Sequence, residues 1–143
     1  MEILNKKLFN KLTPSEFITV IDNLAKTILL CASVDKRIYS VFVYPDKDDP
    51  KSNCAPQINV LCRTDHMFWN IILSKQLVKN NKYVVTWAVY GRDWQNPIED
   101  PKPIKTCLKA MVEFRNILDK LVLLAEYILQ ENEFDYLDNY EEY

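Results

Sequence analysis

The sequence contains little glycine, little histidine and no long apolar run. Its 143 residues include one glycine, Gly91, and one histidine, His66. A chain with a single glycine cannot form a glycine-rich phosphate-binding loop, which excludes nucleotide sites of that kind. No apolar run approaches the roughly 20 residues that a membrane-spanning helix requires. We therefore expect a protein that does not span a membrane.

Cysteine is sparse, and its spacing does not indicate pairing. The four cysteines are far apart and form no Cys-x-x-Cys pair: Cys31, Cys54, Cys62 and Cys107. This pattern suits reduced thiols better than a disulfide framework. Lysines interrupt the first twelve residues, MEILNKKLFNKL, and no small-residue cleavage site follows, so we expect no secretory signal. These features predict a soluble protein of the cytoplasm or nucleus.

The single histidine offers little chemistry. Cys62 precedes His66 by four residues and Cys54 lies further upstream, a grouping that could form a zinc site or a thiol–imidazole pair. The spacing lacks the usual metal-ligand pairs, and residues four apart across a turn do not converge as they would on a helix. An ordinary histidine in a turn is the preferred interpretation.

Two acidic groupings are also weak candidates. The segment Asp46–Asp49 resembles the start of a calcium loop, but the sixth position is not glycine and the twelfth is Gln57 rather than glutamate. Asp46 together with Asp100 and Lys102 has the composition of a nuclease site. These acids lie between prolines rather than on a rigid strand, which a metal-binding acid needs. We therefore predict no bound metal, no cofactor and no enzymatic activity.

Charge is unevenly distributed along the chain. All 18 Lys and Arg residues precede Glu131, and six of the 20 acids lie in the last 13 residues. The first 130 residues thus have 18 basic and 14 acidic side chains, a net charge of +4, whereas the tail has a net charge of −6. A mildly basic domain followed by an acidic peptide indicates that charge contributes to partner recognition.

Residues 13–16, Thr-Pro-Ser-Glu, have the pattern of a capping box with proline at the first helical position. Apolar residues then recur at helical spacing in two neighbouring stripes until about Ser33. Two stripes predict a helix that is covered on about half of its surface.

After residue 36 the apolar period changes from that of a helix to that of a strand. Segments rich in β-branched and aromatic residues predict four strands: Arg37–Tyr44, Ile58–Arg63, Met67–Leu73 and Tyr83–Tyr90. The second and third are separated by three residues, which is short enough for a hairpin. Short connections favour antiparallel neighbours, so the strands predict a mainly antiparallel sheet that could be a meander.

A long apolar helix is predicted from about Ile104 to Gln130, after the proline-rich loop 91–103. Its length of about 40 Å exceeds the width of a small four-stranded sheet. Part of its apolar surface would then need a second subunit, unless the N-terminal helix covers it. We predict a homodimer that uses four residues of this helix: Leu108, Met111, Leu118 and Val122.

The predicted fold class is α+β. Residues 1–130 form one domain with an N-terminal helix, a four-stranded mainly antiparallel sheet and a long C-terminal helix on one face of the sheet. Residues 131–143 form an acidic, aromatic tail that we expect to be flexible and to act in recognition or regulation.

The absence of catalytic signatures favours a non-enzymatic interaction module, such as a small adaptor or inhibitor. Such a module would engage a protein partner with its sheet surface or with the tail, where Phe134, Tyr136 and Leu137 resemble a short linear motif. One glycine among many Asn, Lys and Ile residues is typical of an AT-rich genome, which makes a viral or parasitic origin one form of this hypothesis.

The alternative is a protein that binds single-stranded nucleic acid, with an acidic tail that occupies the empty groove. Aromatic side chains would stack on bases and basic side chains would follow the phosphates. The residues that would form this site are Arg37, Arg63, Trp69, Lys75, Lys79, Lys82, Trp87, Arg92 and Trp94. This hypothesis depends on exposure of the tryptophans, because aromatics that alternate into the core cannot stack on a base.

Overall fold

The computed structural model describes residues 2–44, 56–64, 67–78 and 82–131 and shows an α+β fold. A helical N-terminal region precedes an antiparallel sheet, and a long C-terminal helix packs on that sheet. The predicted fold class is thereby confirmed. The acidic tail beyond Glu131, Lys79 and the proposed Cys54, His66 and Asp46–Asp49 groupings lie outside the described residues.

The elements in chain order are α1 (Glu2–Lys6), a 3-10 helix (Phe9–Lys11), α2 (Pro14–Ala32), β1 (Ile38–Tyr44), β2 (Gln57–Thr64), β3 (Met67–Val78), β4 (Lys82–Tyr90), β5 (Pro103–Ile104) and α3 (Cys107–Glu131).

The sheet is a five-stranded antiparallel meander with the order β1-β2-β3-β4-β5. All four predicted strands are present, and β3 continues to Val78 rather than ending at Leu73. The expected number of strands was one too small, because Pro103 at the end of the proline-rich loop and Ile104, which was predicted to begin the last helix, pair with Thr86 and Val85. A strand of two residues has no periodicity from which it could be predicted.

The start of α2 has the predicted capping box. The hydroxyl of Thr13 accepts a hydrogen bond from the Glu16 amide at 3.2 Å, and the Glu16 carboxylate accepts one from the Thr13 amide at 2.9 Å. These two bonds satisfy amides that have no partner within the helix. Lys7 adds an ion pair to the same carboxylate at 3.4 Å, which joins α2 to the chain that precedes it.

Both long helices pack on one face of the sheet, which we call the first face. Lys75 of β3 lies over the Phe17 ring of α2, the Trp87 indole donates to the carbonyl oxygen of Ala110 in α3 at 2.8 Å, and one core includes both helices. Side chains alternate between the faces of a strand. The first face therefore contains the fully buried strand residues Ile58, Val60, Cys62, Trp69, Ile71 and Leu73.

Helix α3 begins at Cys107 rather than at Ile104. Ile104 belongs to β5, and the Thr106 hydroxyl accepts a hydrogen bond from the Lys109 amide at 3.2 Å, in the manner of an N-cap. Beyond this cap the helix places one stripe of side chains against the sheet: Cys107, Ala110, Phe114, Leu118 and Leu121.

This orientation corrects one residue of the predicted dimer face. Leu118 is 5% exposed and belongs to the core, because it lies on the same side of the helix as Phe114 and Leu121. Met111 is half-buried, whereas Leu108 and Val122 are exposed. The described part of α3 therefore leaves Leu108 and Val122 available for contact with another molecule.

Candidate interaction surface

The face of the sheet opposite the helices, which we call the second face, is formed by alternate residues of β1 to β4. Strand pairing places these residues in rows across the sheet. One row is Ser40, Leu61, Asn70 and Tyr90, and the next is Phe42, Asn59, Ile72 and Ala88. Tyr39, Tyr44, Arg63, Phe68 and Thr86 also belong to this face.

Four aromatic side chains of the second face are exposed: Tyr39, Phe42, Tyr44 and Phe68. The rings of Tyr39 and Phe68 meet edge to face, with centroids 6.0 Å apart. A register shift between Ile38 and Ser40 lies at Tyr39, and such bulges redirect side chains on an edge strand. The Arg63 guanidinium lies 5.6 Å from the centroid of the Phe68 ring. One corner of the face thus combines two rings with a cation.

The middle of the second face contains buried polar groups. Asn59 and Thr86 are both buried. The Asn59 Nδ2, Asn70 Oδ1 and Thr86 Oγ1 atoms have no hydrogen-bond partner among the described residues. A buried polar atom without a partner costs about 1–3 kcal/mol. Water, or a bound partner that displaces neighbouring side chains, would recover part of that cost.

The strands contain basic residues but no acid. β1 to β4 include Arg63, Lys75 and Lys82 and no Asp or Glu. The acidic residues of the described chain therefore lie outside these four strands. A partner that places carboxylates over the second face would meet no like charge from the strands.

Two of the three predicted stacking tryptophans are buried, and their proposed role is wrong for this structure. Trp69 is 1% exposed and Trp87 is 4% exposed, because both lie at first-face positions of the central strands. The Trp69 indole donates to the Thr64 hydroxyl at 3.0 Å, and the Trp87 ring lies 5.3 Å from the Phe114 ring. Trp94, which is 64% exposed, lies beyond the end of β4. The tryptophans therefore form no common platform.

The predicted basic cluster is also divided. Arg37 is held by the Asp35 carboxylate, with Nη2 at 2.7 Å from Oδ2, which gives it a structural role. Arg63 lies on the second face, and Arg92 is exposed beyond β4. Lys75 and Lys82 line one cavity together. Lys75 and Lys82 thus share a cavity, whereas Arg37, Arg63 and Arg92 lie at separate places.

The buried thiols are poor nucleophiles. Burial raises the pKa of Cys62 to about 12 and that of Cys107 to about 11. A thiol reacts as its thiolate, so neither side chain is activated at neutral pH. Within the described segments, no group of three His, Cys, Asp or Glu side chains is arranged to hold a metal ion.

Phe42 and Phe68 belong to this candidate surface and were not among the residues predicted from the sequence. Each is adjacent in its strand to a residue of the first face, and neighbouring strand residues point to opposite faces. Knowledge of which strand residues face the helices would therefore have identified both as second-face residues. The fully apolar stretches around them hide that alternation.

No family model, curated protein or solved structure matches this chain. In the part of the chain that the structure describes, no helix is both long enough and apolar enough to cross a membrane. Functional interpretation therefore depends on the geometry of the residues themselves.

Proposed function

We propose that the protein is a non-enzymatic interaction module whose second face binds an acidic protein segment that carries aromatic or aliphatic side chains. The observation that supports this proposal is the set of four exposed aromatic residues, Tyr39, Phe42, Tyr44 and Phe68, on strands without an acidic residue. Aromatic anchors supply much of the binding energy at protein interfaces. Carboxylates of the partner would favour the side of the face at which Arg63 lies.

The dimensions of the second face favour a segment over a whole domain as its partner. Four strands of seven to twelve residues, spaced about 4.8 Å apart with a rise of about 3.3 Å per residue, cover roughly 600 Å². A stable complex between two folded domains buries about 800 Å² on each partner. A short helix or an extended peptide fits the smaller area.

Single-stranded nucleic acid remains the alternative proposal, with the stacking surface moved from the tryptophans to Tyr39 and Phe68. Sheets that bind single-stranded RNA use exposed aromatic residues in this way. Affinity for a phosphate chain rises with the number of phosphates that basic residues neutralise. Arg63 and Lys82 are the charged residues at second-face positions of β1 to β4, and two cations neutralise few phosphates, which favours the protein partner.

The protein's own tail supplies a probe with the proposed chemistry. A labelled peptide of residues 131–143 contains six acids together with Phe134, Tyr136 and Leu137. We expect it to bind both the full chain and a chain truncated after Gln130, with tighter binding to the truncated chain, in which no attached tail competes. Fluorescence anisotropy would measure both affinities, and a peptide with Asn and Gln in place of its acids tests the contribution of charge.

Substitutions on and off the second face test where the peptide binds. The double substitution Phe42→Ala and Phe68→Ala should weaken peptide binding about tenfold or more, because it removes two aromatic anchors. Trp94→Ala removes an exposed aromatic that lies outside the second face and should leave the affinity unchanged. Equal loss in both variants, or no peptide binding at low salt, contradicts the proposal. Binding of labelled oligothymidine or oligouridine, but not of the peptide, would support the nucleic-acid alternative.

A further inference from the structure

A cavity of about 470 Å³ lies where β3 approaches its end and β4 begins. The 3-10 segment contributes Phe9 and Leu12 to its wall, and the strands contribute Lys75, Lys82, Tyr83 and Val85. We call it the lysine cavity. Its volume is within the range of about 300–1,000 Å³ that small-molecule sites occupy.

Lys75 is half-buried beside this cavity, and no carboxylate of the described residues pairs with it. Its ammonium group lies 4.0 Å from the centroid of the Phe17 ring, and none of the ion pairs among the described residues includes it. Burial lowers the pKa of Lys75, because removal from water disfavours the charged form. The Phe17 ring compensates only in part for the lost hydration, so an anion beside Lys75 would stabilise its charge.

The lining of the lysine cavity selects for one sign of charge. Lys75 and Lys82 are the charged residues of its lining, which includes no acidic residue of the described chain, and the rest of its wall is largely apolar or aromatic. A larger cavity of about 550 Å³ beside β5 and α3 differs in this respect. Glu99, Asp100 and Glu113 lie among its lysines, so its lining does not favour an anion as clearly.

We propose that the lysine cavity binds a small organic anion with an aromatic or alkyl body. A carboxylate or phosphate group of the ligand pairs with Lys75, Lys82 contributes a second positive charge at the cavity wall, and the apolar body packs against Phe9, Leu12 and Tyr83. This site is separate from the aromatic residues of the second face, so its test does not depend on the proposed protein interaction.

Nuclear magnetic resonance titration of the full-length protein tests the proposal directly. The probes are 4-phenylbutyrate and phenyl phosphate, and the neutral comparison is 4-phenylbutanamide, which keeps the ring and chain but lacks the charge. We expect at least one anion to cause saturable shifts in the amide signals of Phe9, Tyr83 and Val85. The affinity of the neutral amide should be at least about tenfold lower than that of the anion, a difference that corresponds to the loss of one charge-assisted contact.

Three substitutions identify the cations that bind. Lys75→Met keeps the length of the apolar stem and should reduce the affinity about tenfold, and Lys82→Met should reduce it as well. Lys75→Arg keeps the charge and should retain most of the affinity. Lys26→Met is the control, because Lys26 is exposed on α2 and pairs with Asp22, and it should bind as the wild type does.

Several results would overturn the proposal. They are the absence of saturable shifts with both anions, equal affinity for the neutral amide, and shifts confined to the larger cavity. Unchanged binding by folded Lys75→Met and Lys82→Met proteins would contradict it equally. If Lys75→Met does not fold, the Lys82→Met variant and the neutral amide still decide the outcome.

Discussion

Arg37 connects the start of β1 to both the preceding turn and α3. Its Nε and Nη2 atoms donate to the Asp35 carboxylate, and its Nη1 donates to the carbonyl oxygen of Leu118 at 2.8 Å. Asp119 adds a longer ion pair at 3.8 Å. The planar guanidinium can make these contacts together because its donors point in fixed, different directions. Arg37 thus holds α3 at the end of the sheet where β1 begins.

The ion pair between Asp35 and Arg37 predicts a pH-dependent contribution to stability. Hydrogen bonds from Arg37 lower the pKa of Asp35 from its ordinary value of 3.8. A lowered carboxyl pKa stabilises the fold above the ordinary value, and that stabilisation is lost as the pH falls through the lowered value. Asp35→Asn should therefore reduce the free energy of unfolding by about 1 kcal/mol at pH 7.

The difference from the wild type should narrow as the pH falls below about 4, and urea denaturation at a series of pH values would measure it. Asp22→Asn is the matched control, because Asp22 makes a more exposed pair with Lys26 along one helix. Its effect should be only about 0.3–0.5 kcal/mol. If Asp35→Asn lowers the free energy of unfolding by the same amount at every pH, the negative charge of Asp35 does not contribute to stability.

The positions of individual side chains were harder to predict than the strands that contain them. Strand β4 is apolar on both faces, so its alternation does not show which residues face the helices. Its interior polar residue, Thr86, is itself buried. The pairing of Trp87 with Leu73 and the contacts of its indole with α3 show that Trp87 belongs to the first face. For this reason the aromatic strands could be predicted from the sequence, whereas the residues predicted to stack on bases, Trp69 and Trp87, are buried.

At the scale of the elements, apolar periodicity and capping residues were sufficient to predict each long helix and strand. The two long helices and four strands follow from periods that extend over many residues. The elements that were missed depend on contacts distant in sequence. The Phe9 amide donates to the carbonyl oxygen of Lys105 at 2.7 Å, and Leu8 forms a bridge with Thr106. Tertiary contacts of this kind leave no local pattern in the sequence.

The capping box of α2 predicts a measurable loss on substitution. Thr13→Ala removes the acceptor for the Glu16 amide and should lower the free energy of unfolding by about 1 kcal/mol. Thr27→Ala is the control, because the Thr27 hydroxyl donates to the carbonyl oxygen of Asn23 within the helix. Alanine has the higher helix propensity, so this control should be neutral or slightly stabilising. Thermal or urea unfolding would compare the two, and equal losses would contradict a specific role for the cap.

At the scale of the whole molecule, both long helices expose large apolar side chains. Leu29 and Leu30 of α2 and Val122 and Leu123 of α3 are all exposed. From its contact with Arg37 at Leu118, α3 continues to Glu131, a length of about 20 Å. This part of α3 has the length and the exposed apolar residues that a helix–helix contact with a second copy would use.

The homodimer is therefore a prediction that now depends on Leu108 and Val122 and no longer on Leu118. Light scattering should give a mass near twice the 16.9 kDa of one chain. Val122→Asp should move the mass towards the monomer, because burial of an unpaired carboxylate in an apolar contact is unfavourable. Trp94→Asp is the control, because Trp94 is 64% exposed but lies beyond the end of β4 and outside both long helices. A wild-type mass of one chain at every concentration would show that the exposed stripe of α3 does not bind a second copy.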